Sequence, residues 1–420
     1  MKTYLVGGAV RDQILGIPSQ DRDWVVIGAT SQMMLDAGFK PIPAAEFPIF
    51  IKDGEEYALG RKERKVSKGY KGFEVLTSPD VTLKEDLLRR DLTINSIAMD
   101  KNGAYIDPYF GMKDIKNKLL RHTSIAFKED PVRILRVARL VAQLGTFEFS
   151  VCDETMRLMI DMVNEGEVDH LTPERIWKEM EKALKSDHPE MFFETLQACG
   201  ALKKLLPEID ALVGVPQPLE HHPENCVFQH VLLSLKQATL LGDRNPVINF
   251  AVLMHDVGKG ISPKETLPAH HGHEEAGAPL VDAFCDRLKV PNIYRDLAKK
   301  VTQFHLKAHK SMGMRPSKVI DMLDKLGTLK NGDTLLNFFL HACEADATGR
   351  LGMSSNHYPQ ADYIHYLHRV AMEVDTKPII EKYKGQGAEI GNQIRHARIQ
   401  AACEASKEYL TDQEICTPCM

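Results

Sequence analysis

The 420-residue chain carries 53 Lys+Arg against 58 Asp+Glu, a net charge of −5, with 43% hydrophobic and 26% charged residues. This is the composition of an ordinary globular protein with room for roughly two to four domains. The lack of any run of about 18 apolar residues argues against a membrane-spanning helix, and the net acidity argues against a protein coated along its length by nucleic acid. The charge is uneven: residues 1–140 hold 23 Lys+Arg and 19 Asp+Glu, and the remainder has a net charge of −9. Phosphates are expected at the basic end, where Arg61, Lys62, Arg64, Lys65, Lys68 and Lys71 crowd together. The opening Met-Lys-Thr-Tyr-Leu-Val-Gly-Gly has too short an apolar core for a secretory signal. Eight cysteines are scattered as reduced thiols would be, so a cytoplasmic setting is expected. The pair Cys416 and Cys419, alone on a terminal segment, reads as incidental.

Residues 3–6 read as a short strand ending in Gly7-Gly8, and residues 9–15 as a helix stopped by Gly16 and Pro18. Residues 24–27 are a buried strand between Asp23 and Gly28. Residues 47–51 and 56–59 read as a hairpin and 73–76 as a further strand, and 92–99 with 104–106 complete a mixed α/β unit. From about residue 113 helical periodicity takes over. Helices are expected at 131–144, 153–163, 173–185 and 189–199, the third starting at Thr172 as cap with Pro173 in its first turn. Residues 214–223 read as a linker. Further helices are expected at 226–241, 246–257, 275–288, 293–309, 316–326 and 332–348.

Three pieces near the N-terminus carry chemistry in combination. Gly7-Gly8 between strand and helix lets backbone N–H groups approach a triphosphate at a helix N-terminus. Arg11, one turn on, can add a charge-assisted contact. Asp21 and Asp23, two residues apart at the mouth of a strand, point to one side and can hold Mg²⁺ together with substrate phosphates, the arrangement for two-metal phosphoryl transfer.

Gly7-Gly8-Ala9-Val10-Arg11-Asp12, Asp21-Arg22-Asp23 and Arg89-Arg90-Asp91-Leu92-Thr93-Ile94-Asn95 together resemble the signatures of class II tRNA nucleotidyltransferases and their bacterial poly(A) polymerase relatives, within the polymerase β-like superfamily. The resemblance implies Asp21 and Asp23 as magnesium ligands, Gly8 and Arg11 at the triphosphate, and Arg90 beside the incoming nucleotide. It also implies a flexible loop, at residues 46–72, that helps switch from C to A addition.

In residues 129–139, Asp130 before Pro131 reads as a helix N-cap. Arg133, Arg136 and Arg139 form a basic stripe opposite Leu135, Ala138 and Val141. Arg offers a fixed fork of donors and ionised Asp only accepts. In the family resembled, the positions of Asp130 and Arg133 stand in for a templating base, and those of Arg136 and Arg139 serve the nucleotide site.

A second constellation follows. His255-Asp256 closes an apolar helix that reads as ending at Gly258, before Lys259. His230 precedes it; His270, His271 and His273 follow in a glycine-punctuated loop; His305, His309 and Asp346 lie on later helices. Imidazoles and carboxylates from several helices suit a first-row transition metal that activates water against a phosphate ester. The segment resembles the HD phosphohydrolase domain. By that resemblance His255 and Asp256 are metal ligands, joined by His230 and Asp346 and more weakly by His273 and His305, and Lys259 contacts phosphate.

The whole order resembles the multifunctional bacterial branch of the tRNA nucleotidyltransferases. It implies addition and repair of the 3′-terminal CCA of tRNA that lacks it or is damaged there, using CTP and ATP. It further implies 2′,3′-cyclic phosphodiesterase, 2′-nucleotidase and phosphatase activities, with Ni²⁺ or another transition metal at the HD site. The fold expected is α+β: a polymerase β-like mixed α/β head (1–140), an all-α neck and body (141–222), an all-α HD domain (223–350) and a helical C-terminal segment (351–420), in a monomer or homo-oligomer with no membrane association. Two alternatives keep part of this chemistry. A poly(A) polymerase would ordinarily carry a basic tail, yet residues 405–420 hold only Lys407. HD-containing signalling nucleotidyltransferases are far longer or place the HD domain first.

Overall fold

The computed structural model describes residues 1–18, 22–43, 48–65, 73–220, 222–242, 244–331 and 333–416. Asp21, Lys68, Lys71 and Cys419 lie outside them. The chain divides into two compact units, Met1–Leu206 and Pro207–Met420. Among the described residues no helix is long and apolar enough to cross a membrane.

The first unit opens with strand β1 (Lys2–Val6) and the helix Gly8–Leu15. Gly7 makes the turn between them at φ 75°, a conformation that costs glycine nothing. Strand β2 (Asp23–Ile27) returns antiparallel to β1. Strands β3 (Lys40–Pro41), β4 (Ile49–Lys52) and β5 (Glu55–Leu59) form an antiparallel run, and β5 lies parallel beside β2. Strands β6 (Arg61–Lys65) and β7 (Phe73–Thr77) pair only with each other, as a separate ribbon. Strands β8 (Ala98–Met99) and β9 (Tyr105–Ile106) close the main sheet, whose order is β3-β4-β5-β2-β1-β8-β9. Within residues 92–99 a 3₁₀ turn at Thr93–Asn95 precedes the two-residue β8. The expected hairpin is present as β4 and β5, and residues 46, 47 and 66–72 of the segment assigned to the flexible loop lie outside the described residues.

The sheet's apolar residues alternate as half-buried strands require. Val26, Phe50 and Leu59 pack with Met34 and Phe39 on one face, and Val6, Val25 and Ala98 pack with Leu87 on the other. Beyond the sheet, the helix Val132–Gln143 is the hub of a helical body. Ile134, Leu135, Val137 and Ala138 are wholly buried against the helices Pro173–Leu184 and Pro189–Ala198. Thr172 has the extended backbone of a cap, but its side chain makes no capping bond.

The second unit is all helical. Its centre is the helix Pro246–Met254, in which every residue from Val247 on is buried. A helix apolar all round belongs in a core, and each such side chain contributes about 1.5–3 kcal/mol by leaving water. Around it stand the helices Val227–Leu241, Asn292–His309 and Asp333–Thr348, and His273–Leu288 lies beside the second of these. Pro316–Leu326, Pro359–Glu373 and Gly387–Cys416 pack together after them. Residues 215–218 have no regular structure, yet Gln217 is buried and accepts from Lys259 Nζ at 2.7 Å.

Candidate active sites

In the first unit an open cleft of ≈ 1380 Å³ lies between the sheet and the helical body. Gly7, Gly8 and Arg11 line it, as do Asp23, Arg90, Asp130, Arg133, Arg136 and Arg139. Asp21 lies outside the described residues. Asp23 opens β2 and is exposed, and its register partner on the parallel neighbour β5 is Glu56, which also faces the cleft. Sequence reasoning missed Glu56. Hard carboxylate oxygens side by side at the start of two neighbouring strands fit magnesium.

The cleft walls are joined by a chain of polar contacts. Arg11 Nη1 donates to Asn95 Oδ1 at 2.8 Å, Asn95 Nδ2 to Asp91 Oδ1 at 3.2 Å, and Arg136 Nε to Asp91 Oδ2 at 2.6 Å. Burial by itself would raise the Asp91 carboxyl, but the charges of Arg136 and Arg133 outweigh it and hold the group well below the ordinary carboxylate range. Asp86, buried on the next wall, follows the same logic: Arg89 and Arg90 at 2.8 and 3.2 Å overcome its desolvation. Gly7 brings the turn close enough to Arg90 that a Cβ there would lie 3.1 Å from Nη1.

Asp130 does more than start a helix. Its Oδ1 accepts from the Val132 N–H at 3.1 Å, and Arg175 Nη1 and Nη2 donate to its two oxygens at 3.0 and 2.6 Å. Arg133 Nη1 donates to the Ala126 carbonyl at 2.7 Å, and Arg139 Nε to Glu179 Oε2 at 2.5 Å. Arg175 and Glu179, both on the helix Pro173–Leu184, are therefore cleft residues that sequence reasoning overlooked.

In the second unit the structure gathers His230, His255, Asp256 and Asp346 with His273, His305 and His309. The helix expected to run to Gly258 stops at Met254, and Val257–Ile261 is a 3₁₀ turn. Gly258 serves as a contact point instead: a Cβ there would meet the His273 carbonyl oxygen at 2.0 Å. Three histidines share one arrangement. Nδ1 of His255, His273 and His305 donates to a carbonyl oxygen, of Val252, His270 and Val301, at 2.7, 2.8 and 3.0 Å. That fixes the tautomer and leaves each Nε2 lone pair facing inward, as metal-ligating histidines are held.

The donors fall into two groups, His230–His255–Asp346 and Asp256–His273–His305. Asp256 reaches both: Oδ2 lies 3.2 Å from His255 Nε2, and Oδ1 lies 3.2 Å from His273 Nε2 and 3.6 Å from His305 Nε2. Asp346 Oδ1 is 3.0 Å from His230 Nε2, and Oδ2 is 2.7 Å from His309 Nε2. The buried atoms His255 Nε2, Asp256 Oδ1 and His273 Nε2 have no hydrogen-bond partner among the described residues. Orphaned ligand atoms of this kind, two ionised carboxylates and several imidazoles fit a divalent transition metal. Burial would lower the His255 imidazole, yet Asp256 and Asp346 push it up to about 9, so the cluster draws in positive charge. Lys259 answers part of that demand, at 2.6 Å from Asp256 Oδ2. Behind the cluster, Glu224 Oε1 lies 3.2 Å from His230 Nδ1 and 3.0 Å from His222 Nδ1. Sequence reasoning did not single out either Glu224 or His222.

Comparison with known proteins gives three family matches along the chain. Residues 3–121 match the Poly A polymerase head domain family, residues 148–213 the probable RNA and SrmB-binding site of polymerase A, and residues 227–333 the HD domain. The multifunctional CCA protein of Methylococcus capsulatus is 49% identical over 96% of this chain and 94% of its own length. That of Teredinibacter turnerae is 49% identical over 95% and 97%. In fold the chain resembles the Thermotoga maritima CCA-adding enzyme complexed with tRNA_CCA, with a TM-score of 0.62 and 19% identity over 98% of this chain and 91% of that one. With its nucleotidyltransferase head, helical body and histidine-aspartate unit, the chain belongs to the multifunctional CCA protein family.

Proposed function

We propose that this enzyme adds and repairs the 3′-terminal CCA of tRNA from CTP and ATP without a nucleic-acid template, and that its second unit hydrolyses phosphate esters. One observation carries the first activity: a single cleft holds the glycine turn and Arg11, the carboxylate edge at Asp23, and a wall made of Asp130 and Arg133. Similar enzymes have been captured with tRNA, with CTP and with ATP.

In this reading the Gly7–Gly8 backbone, Arg11 and Arg90 hold the triphosphate, with fixed donors turned toward charge. Asp130 accepts and Arg133 donates to the edge of the base. Arg136 and Arg139 keep that wall in place through Asp91 and Glu179. Magnesium, held by Asp21, Asp23 and Glu56, would supply the charge neutralisation that phosphoryl transfer needs. In the second unit, nickel or another transition metal on His230, His255, Asp256 and Asp346, with His273 and His305, would supply the Lewis acid. Lys259 then neutralises a phosphate oxygen. The substrates are 2′,3′-cyclic phosphates, 2′-nucleotides and other phosphate esters, and the setting is the cytoplasm.

The test uses tRNA lacking its CCA end with magnesium. CTP alone is expected to add two residues, and ATP then one. A long homopolymer from ATP would overturn the reading in favour of a poly(A) polymerase.

A further inference from the structure

Charge is segregated within the acidic part of the chain. Residues 287–330 carry eleven Lys+Arg and three Asp+Glu, and the rest of the chain beyond residue 140 carries 19 against 36. A protein that gathers positive charge locally against so strong an opposite trend creates a local field for an anionic partner.

The fold concentrates that charge in one place. The helix Asn292–His309 turns Leu297, Ala298, Val301, Thr302, His305 and Ala308 into the core. Its opposite face presents Asp296, Lys300, Gln303 and Lys307 at spacings of four, three and four, with Lys299 beside them, as one continuous stripe. With Glu275 and Lys325 from the neighbouring helices this stripe lines a groove of ≈ 610 Å³. Lys299 is paired with Asp282 at 2.7 Å. Lys300, Lys307 and Lys325 have no ion pair among the described residues, and Lys307 Nζ rests 5.0 Å over the Phe304 ring. Like charges side by side repel one another until an anion lies between them. A groove edged by mobile ammonium groups with an amide between them fits a run of phosphodiesters. Its one apolar lining residue, Phe304, lies under Lys307, so charged and polar groups make up the rest of its surface.

We propose that this groove is a docking site for the phosphate backbone of a structured RNA, on the exposed face of the helix whose buried face carries His305. The proposal rests on the tRNA reading above and adds to it a place on the second unit that holds the RNA body. The groove contributes affinity, and the chemistry stays at the two clusters already described.

The test compares the full-length protein with the triple variant K300E/K307E/K325E, using tRNA that lacks its CCA end and following anisotropy across a salt series. The dissociation constant is expected to rise at least tenfold, and the slope of log K against log salt to become shallower by about 2, since each phosphate contact releases nearly one counterion. KM for tRNA rises, while kcat at saturating tRNA and the hydrolysis of bis(p-nitrophenyl) phosphate stay within about twofold of the parent. An unchanged dissociation constant and slope overturn the proposal. So does a variant that keeps its tRNA affinity but loses affinity for polyglutamate, which would make the groove a docking site for acidic protein. A second measurement needs no variant: Lys300, Lys307 and Lys325 of the parent protein should be shielded from acetylation by tRNA and not by CTP, and a lack of shielding overturns the proposal. A parent protein that extends tRNA without shielding these lysines removes this inference alone. One that neither binds nor extends tRNA removes the functional reading and this inference together.

Discussion

Arg175 grips both carboxylate oxygens of Asp130, at 3.0 and 2.6 Å, from a helix 45 residues further along the chain. A two-pronged bond of this kind fixes the plane of the carboxylate as well as its position. In the function proposed above Asp130 is the residue offered to the base, so its orientation bears on which base is accepted. Arg175→Ala is expected to narrow the preference for CTP and ATP over UTP and GTP by about 10–100-fold, the value of a hydrogen bond to a charged group. Arg175→Lys should recover little, because an ammonium cannot make the fork. Single-nucleotide incorporation with all four triphosphates measures this, and unchanged discrimination would refute the role.

Asp23 and Glu56 sit in register on parallel strands. Glu56→Gln and Asp23→Asn are each expected to lower CCA addition by about 10³-fold or more, as loss of a metal-binding carboxylate at a phosphoryl-transfer site does. Phosphohydrolase activity should persist in both. His255→Ala should do the reverse. Should His255→Ala abolish addition in a folded protein, the assignment of two separate sites fails.

How much of this was open to sequence reading follows from what each feature depends on. The glycine turn, the helix after it and the Asp130-Pro131 helix start are local, and local chemistry decides them. Glu56 was hidden because its importance comes from the pairing of β2 with β5, and strand order cannot be read from one sequence. Arg175 looked like any charged residue on a first helical turn. Gly258 misled: a glycine after an apolar helix reads as a left-handed stop, but it is not among the glycines with positive φ. What it supplies is room for the His273 backbone, a demand that arises only once the helices pack.

That packing gives a sharp expectation for Gly258→Ala. The added carbon would lie 2.0 Å from the His273 oxygen and 2.8 Å from the Gly277 nitrogen, both main-chain atoms. The helix His273–Leu288 must move, at a cost of about 3 kcal/mol or more. Loss of phosphohydrolase activity and earlier melting of the second unit are expected, with CCA addition retained. A variant with parental phosphohydrolase activity would show that this close approach is dispensable.

The Asp91–Arg136 pair sets a pH dependence whose sign is fixed. A carboxyl with a depressed folded-state pKa stabilises above its unfolded value near 3.9, and that contribution fades as pH falls toward the folded value. Asp91→Asn should therefore destabilise the first unit by an amount constant from pH 5 to 8 and shrinking below about pH 4. Urea unfolding at several pH values checks this. A difference that grew on acidification would contradict the pairing.

The cleft takes its walls from Val6 at one extreme and Glu179 at the other. Domains fold largely as units while the ribosome extends them. A nascent chain therefore has no finished cleft until Glu179 has been made. Before then the glycine turn and the Asp23–Glu56 carboxylates stand without the wall that Asp130, Arg133 and Glu179 supply. Translation stalled near residue 121, where the head family match ends, would leave a fragment that has Gly7, Gly8, Arg11 and Asp23 and lacks Asp130, Arg133 and Glu179.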